Sequence, residues 1–150
     1  MNALAVAVAR EGVRSAVSEQ RLADAARLTL RAEKVTHALI SITLVTARRI
    51  AALNAKHLKH RGPTDVISFG FSRERAGPLV ADIYIAPDVA RENAKRLGVG
   101  IREELVRLVV HGTLHALGHD HPAGDARLTS PMWRRQEALV ARAMKKSGAA

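Results

Sequence analysis

The stretch REELVRLVVHGTLHALGHDH, Arg102–His121, carries apolar residues at a regular interval and then breaks off at a glycine. Leu105, Leu108, Val109, Leu114 and Leu117 recur at helical spacing, which predicts a helix over Arg102–Leu117. Glu103 and Glu104 stand near its positive N-terminal end, and that placement accounts for them more simply than a role as bases. Gly118 fits the position just past the helix, because glycine takes the left-handed conformation without a Cβ penalty.

Working outward, ALAVAVA near the N-terminus reads as a buried strand. It is too short for a membrane span and lacks the basic flank of a signal peptide, so a cytoplasmic chain is expected. A helix follows over Ser15–Arg31, then a β-branched strand in VTHALISITLV ending near Val45. ARRIAALNAKHLK has helical spacing at Ile50, Leu53 and His57. Beyond the break at Gly62-Pro63, TDVISFGF and LVADIYIA predict two strands joined by a polar loop. Pro87-Asp88 opens a helix that Gly98 ends, and a last helix spans Pro131–Lys146. Strands and helices alternate at first and helices then dominate. This predicts an α+β or mixed α/β layer rather than a bundle.

At 150 residues the chain is expected to form one domain, burying roughly 68–70% of its unfolded surface. Its 47% hydrophobic and 25% charged content is that of an ordinary soluble globular protein. The absence of cysteine excludes disulfides, a thiolate nucleophile and thiolate metal ligands. A formal charge of +10, from 24 Lys and Arg against 14 Asp and Glu, favours a polyanion as partner. The excess is concentrated at Arg48, Arg49, Lys56, Lys59 and Arg61, a run without carboxylates and with His57 and His60 interleaved. A solvated basic surface is the plainer reading of that run. Phe69, Phe71, Tyr84 and Trp133 are the complete aromatic set, too few for a base-stacking platform. Phosphate contacts would therefore carry most of the affinity for nucleic acid.

Four of the seven histidines fall between His111 and His121. His111 and His115 are one turn apart on the predicted helix and can converge on one ion. His121 lies beyond Gly118, where the chain can turn back to supply a third imidazole. Three neutral imidazoles leave the fourth position of a tetrahedral zinc open, as in catalytic sites, and zinc lowers the pKa of a water there to about 7. Nickel, copper or iron also suit imidazole, so zinc rests on prior frequency. His119 can stand in for His121, and Asp120 can orient an imidazole; each is equally readable as loop. The spacing H-x-x-x-H-x-x-G-x-x-H also resembles the zinc helix of metzincin proteases, which carry their general-base Glu right after the first histidine. Here that place is Gly112. A metallopeptidase without the usual Glu is thus one alternative reading, and a non-catalytic factor in which metal only stabilises the fold is another.

HGTLHALGHDH resembles the signature H-G-x-L-H-L-x-G-Y/H-D-H of the bacterial YbeY endoribonuclease family. LNAKH and PTDVISF, within Leu53–Phe69, resemble a second block of that family, and ADIYIA and the pair Met132 and Glu137 resemble further positions. The resemblance runs from about Ile40 into the last helix. It implies a compact α+β fold, a small, mostly mixed sheet of about four strands against about five helices, with the metal-bearing helix as a single layer. It implies one zinc per chain held by His111, His115 and His121, acting catalytically through metal-bound water. It implies a single-strand-specific endoribonuclease in ribosomal RNA maturation and ribosome quality control, with ribosomal RNA and the ribosome as partners. No membrane and no small-molecule cofactor are expected. The family's basic groove corresponds to the Lys56–Arg61 region, where Leu58 stands in place of the usual arginine and Lys59 or Arg61 would meet the phosphate. Thr64 and Ser68 join Lys56, Lys59 and Arg61 as expected RNA contacts, although Thr64, Asp65 and Ser68 also read as turn and strand residues.

Overall fold

The protein is represented by a computed structural model that describes residues 3–58, 62, 64–71, 77–122 and 124–148. Strand β1 (Ala3–Arg10) leads to helix α1 (Glu19–Ala32) and strand β2 (His37–Leu44). Helix α2 (Ala47–Leu53) runs on as a π-helical turn, Asn54–Leu58. Strands β3 (Val66–Phe71) and β4 (Leu79–Ile85) follow, then helices α3 (Pro87–Leu97) and α4 (Ile101–Ala116). A 3-10 turn, Gly124–Thr129, connects to α5 (Pro131–Gly148). The α+β expectation holds, with a four-stranded mixed sheet in the order β1-β2-β4-β3. β1, β2 and β4 are parallel, and β3 pairs antiparallel to β4 at one edge.

Alternation along the strands gives the sheet two unlike faces. Leu79, Ala81, Ile83 and Ile85 of β4 enter the main core with α1, α4 and α5. Ile67 of β3 enters a smaller cluster with Ile50 and Leu53 of α2, and Phe69 and Tyr84 flank it. α4 is the central helix, packed against α1, α3, α5 and strands β3 and β4. Its Leu105, Val106, Leu108, Val109, Val110 and Leu114 are all buried, each worth roughly 1.5–3 kcal/mol relative to exposure. A helix apolar on nearly every side must be enclosed, and this one is.

The start of α1 and the end of α5 differ from the sequence expectation. α1 begins at Glu19 rather than Ser15, because Ser15 closes its own turn, its hydroxyl donating to the Val17 carbonyl at 2.6 Å. Ser18 then caps the helix by accepting the Arg21 N–H, with buried Val17 and Leu22 in the positions of a hydrophobic staple. α5 runs to Gly148. At α3 the sequence reading is met at both ends: Pro87 starts the helix and Gly98, at φ +70°, ends it.

Candidate metal centre

α4 lies so close to the sheet that glycine is required where they cross. A Cβ on Gly112 would come within 2.9 Å of Ile83 Cγ2, and one on Gly70 within 3.0 Å of the Ala116 carbonyl oxygen. Gly112 therefore faces β4, with His111 and His115 on the flanking sides of the helix. The position that holds the base in metzincins is packing surface here, pointed at the core and not at the histidines. Ser68, on the same face of β3 as Gly70, donates its hydroxyl to the Gly112 carbonyl at 2.9 Å. Its expected role as an RNA contact is joined by a structural one, tying β3 to the metal helix.

The C-terminus of α4 then turns the chain back. The Gly118 N–H bonds the His115 carbonyl and the His119 N–H bonds the Leu114 carbonyl, a Schellman closure with Gly118 at φ +98°. The Asp120 carboxylate accepts the His121 backbone N–H at 2.9 Å, so it orders the loop rather than an imidazole. His111, His115 and His121 converge, with ring centroids 4.6, 5.2 and 5.0 Å apart. One ligand nitrogen from each lies within 4.8 Å of the others, and this group could hold a metal ion. His119 turns away instead and pairs with Glu33 at the end of α1. Arg135 of α5 holds the other Glu33 oxygen at 2.9 Å, so the loop bearing His121 is moored to two helices.

The protonation states suit a cation. Burial pushes the His111 imidazole down to about 4, against the Gln136 hydrogen bond and helped by the neighbouring His115 and His121. His115 is lowered as well, by burial first and then by His121. Both rings are neutral at pH 7, as ligation demands. The Gln136 side chain settles which nitrogen of His111 is free. Its Nε2 donates to Glu137 Oε2 at 3.0 Å, a group that only accepts, so its Oε1 faces His111 Nδ1 at 2.7 Å. Nδ1 then carries the proton and Nε2 keeps the lone pair that a metal would use. His121 matches this, with Nδ1 3.0 Å from the Pro122 carbonyl oxygen. Three imidazoles, two of them neutral by burial and two (His111 and His121) with the second ring nitrogen already partnered, are a donor set that fits zinc.

Behind Gln136 lies an ion network. Arg107 donates to both oxygens of Glu137, at 2.9 and 2.8 Å, and to Glu104 and Glu103 at 3.1 and 3.2 Å. Burial raises the Glu104 carboxyl despite Arg107, and its side chain is only 5% exposed. Burial also pushes Glu137 up, but Arg107 and the Gln136 amide together reverse this and lower its carboxyl below the ordinary value. Glu103 and Glu104 thus serve Arg107 as well as the helix end. Gln136, Glu137 and Glu33 lie 25, 30 and 86 residues from the histidines or arginine they serve. No local spacing could have revealed them as a set.

A groove of about 260 Å³ beside the histidines is lined by Leu58, Val66, Ser68 and His115. Lys56 is exposed in the adjoining turn, and Thr64 is half-buried just before β3. Lys59 and Arg61, the other expected RNA contacts, lie outside the described residues. Asp65 accepts hydrogen bonds from its own and the Val66 N–H and from Asn93, so it orders the turn into β3. Larger hollows of about 370 and 500 Å³ border α1 and touch none of the three histidines.

Comparison with known proteins agrees with this architecture. The family model described as Endoribonuclease YbeY matches residues 8–144. A Frankia casuarinae protein named Endoribonuclease YbeY is 37% identical, over 92% of this chain and 74% of its own. Proteins of that name from Anaeromyxobacter sp. and Aquifex aeolicus are 38% and 35% identical, over 98% and 72% of this chain and 76% and 73% of theirs. The solution structure of TM1509 from Thermotoga maritima superposes with a TM-score of 0.65 at 23% identity, covering 96% of this chain and 92% of that one. That likeness concerns the fold.

Proposed function

The chain belongs to the endoribonuclease YbeY family, a family of nuclease hydrolases, and from that premise we propose that it is a zinc-dependent, single-strand-specific endoribonuclease of ribosomal RNA maturation and ribosome quality control. The observation that carries the reading is the convergence of three imidazoles at the end of α4, two of them held neutral by burial. His111, His115 and His121 would hold the ion. Zinc, when bound, supplies Lewis acidity toward a phosphate oxygen or a water. The residues around it do the positioning. Gln136 fixes the His111 ring, Glu33 and Arg135 moor the loop of His121, and the Schellman turn at Gly118 sets the approach of the third ligand. RNA would lie along the groove over Ser68, with Lys56, Lys59, Arg61 and Thr64 toward its phosphates. The charge of +10 supports a polyanionic substrate, and the ribosome in the cytoplasm is the partner this reading names.

Metal analysis of the purified protein, paired with cleavage of unpaired and duplex ribosomal RNA fragments, tests the proposal. About one zinc per chain is expected, with cutting confined to unpaired RNA. In His115→Ala both the metal and the cutting are lost while the fold survives by circular dichroism. A metal-free wild type, or undiminished cutting in that variant, overturns the mechanism.

A further inference from the structure

Val66 and His111 separate the groove over Ser68 from a second cavity of about 220 Å³. Its walls come from the β3 entry, α3, α4, the 3-10 turn and α5, and include Asp65, Asn93, Arg96, Arg107, Arg127 and Trp133. Three of these residues are cations, and two are already engaged. Arg107 is taken up by Glu103, Glu104 and Glu137, and Arg96 donates to Asn93 Oδ1 at 2.9 Å. The Arg127 guanidinium makes no hydrogen bond or ion pair among the described residues. It stands over one face of the half-buried Trp133 ring, 5.9 Å from the centroid, in a cation–π contact that leaves its N–H groups without an acceptor among the described residues. Arg127, Asp65 and His111 line this one cavity together, so the guanidinium shares it with one of the clustered histidines.

We propose that this cavity is a subsite for the unpaired nucleotide next to the scissile bond, with Trp133 against the base and Arg127 on the phosphate. A guanidinium with no acceptor of its own beside a concave polar wall is a ready phosphate contact, and the part of the indole that it does not cover gives a base a sequence-tolerant surface. The cavity is smaller than the ~300 Å³ at which pockets for drug-sized ligands begin, which suits one base rather than two. Asn93 and Asp65 hydrogen-bond each other along the wall, which gives the cavity a fixed polar side. Arg127 also stands in a telling place. Leu58, where the family pattern has arginine, is 42% exposed on the other side of His111. A cation absent from one side of the metal cluster is thus present on the other. The scissile-bond part of the proposal rests on the nuclease reading above; the nucleotide site itself does not.

Trp133 is the single tryptophan of the chain, so its fluorescence reports this cavity. The intact protein is titrated with adenosine 5′-monophosphate, and with inorganic phosphate as the control. A saturable change with the nucleotide is expected, weakened about tenfold or more in Arg127→Ala, as for loss of a charge-assisted hydrogen bond, and partly restored in Arg127→Lys. Inorganic phosphate should give no comparable change. The KM for unpaired RNA should rise by a similar factor in Arg127→Ala with zinc content unchanged. Arg127 is exposed and makes no hydrogen bond or ion pair among the described residues, so the variant should keep its fold, checked by circular dichroism. Absence of a saturable nucleotide response, an equal response to phosphate alone, or an unchanged affinity in Arg127→Ala overturns the subsite. Cleavage without a nucleotide response removes the subsite and leaves the nuclease. An Arg127-dependent response in a protein that cuts no RNA keeps the nucleotide site and removes the nuclease.

Discussion

Gly112 shows how one position changes meaning between sequence and structure. In the sequence it reads as a missing base; in the structure it is the place where α4 touches Ile83. Gly112→Ala gains about 1 kcal/mol of helix propensity but forces a buried contact whose usual cost is roughly 1–3 kcal/mol. A net loss of up to about 2 kcal/mol in urea unfolding is expected, and a clearly higher midpoint would contradict the close crossing. His111 carries a second residue-scale expectation. Its folded value of about 4 lies below the ordinary 6.5, so the unfolded chain binds the extra proton first. In chelator-treated protein, stability from this group is therefore full above pH 6.5 and lost as pH falls toward about 4. Urea unfolding across that range should show the slope, and His111→Leu should flatten it.

At the scale of elements, α4 and α5 meet through Arg107, whose side chain is 15% exposed. Its removal strands Glu104 and Glu137 together and releases the carboxylate that orients Gln136. Arg107→Gln should cost about 3 kcal/mol, the lower end for breaking a buried pair. It should also weaken zinc binding about tenfold, by the usual effect of losing a ligand's hydrogen-bond partner. Glu103→Ala, at a 39% exposed partner, should cost less than about 1 kcal/mol and leave zinc affinity alone. Chelator competition together with thermal unfolding separates the two. Equal effects from both variants would show that Arg107 acts as a surface pair, not as a brace for the metal ligand.

For the whole molecule, charge and architecture act separately. The +10 surplus governs attraction to RNA, and the sheet-backed α4 governs where an ion would sit. If binding neutralises about four phosphates of a single strand, log affinity should fall against log salt with a slope near −3. Filter binding of an unpaired RNA between 50 and 200 mM salt, roughly the range over which such losses are usually compared, measures it. A flat dependence would exclude phosphate contacts as the source of affinity. No described helix is long and apolar enough to cross a membrane.

The sequence by itself determined the parts that depend on near neighbours. α4 was legible from its apolar spacing, its end from Gly118, and the His111–His115 pair from the four-residue interval, because a helix converts short spacings directly into geometry. α3 was legible for the same reason, between Pro87 and Gly98. The start of α1 was misplaced by four residues because two serines compete there, and a side-chain hydrogen bond decides between them. The family resemblance named His121 as third ligand, and the tertiary structure supplies the reason that His119 stays out of the cluster, since Glu33 draws it aside from another helix. Only the tertiary structure turned Gly112 toward Ile83 and placed Gln136 on His111. Each of those contacts joins residues far apart in the chain, and packing, unlike local periodicity, is fixed when the sheet and helices close on one another.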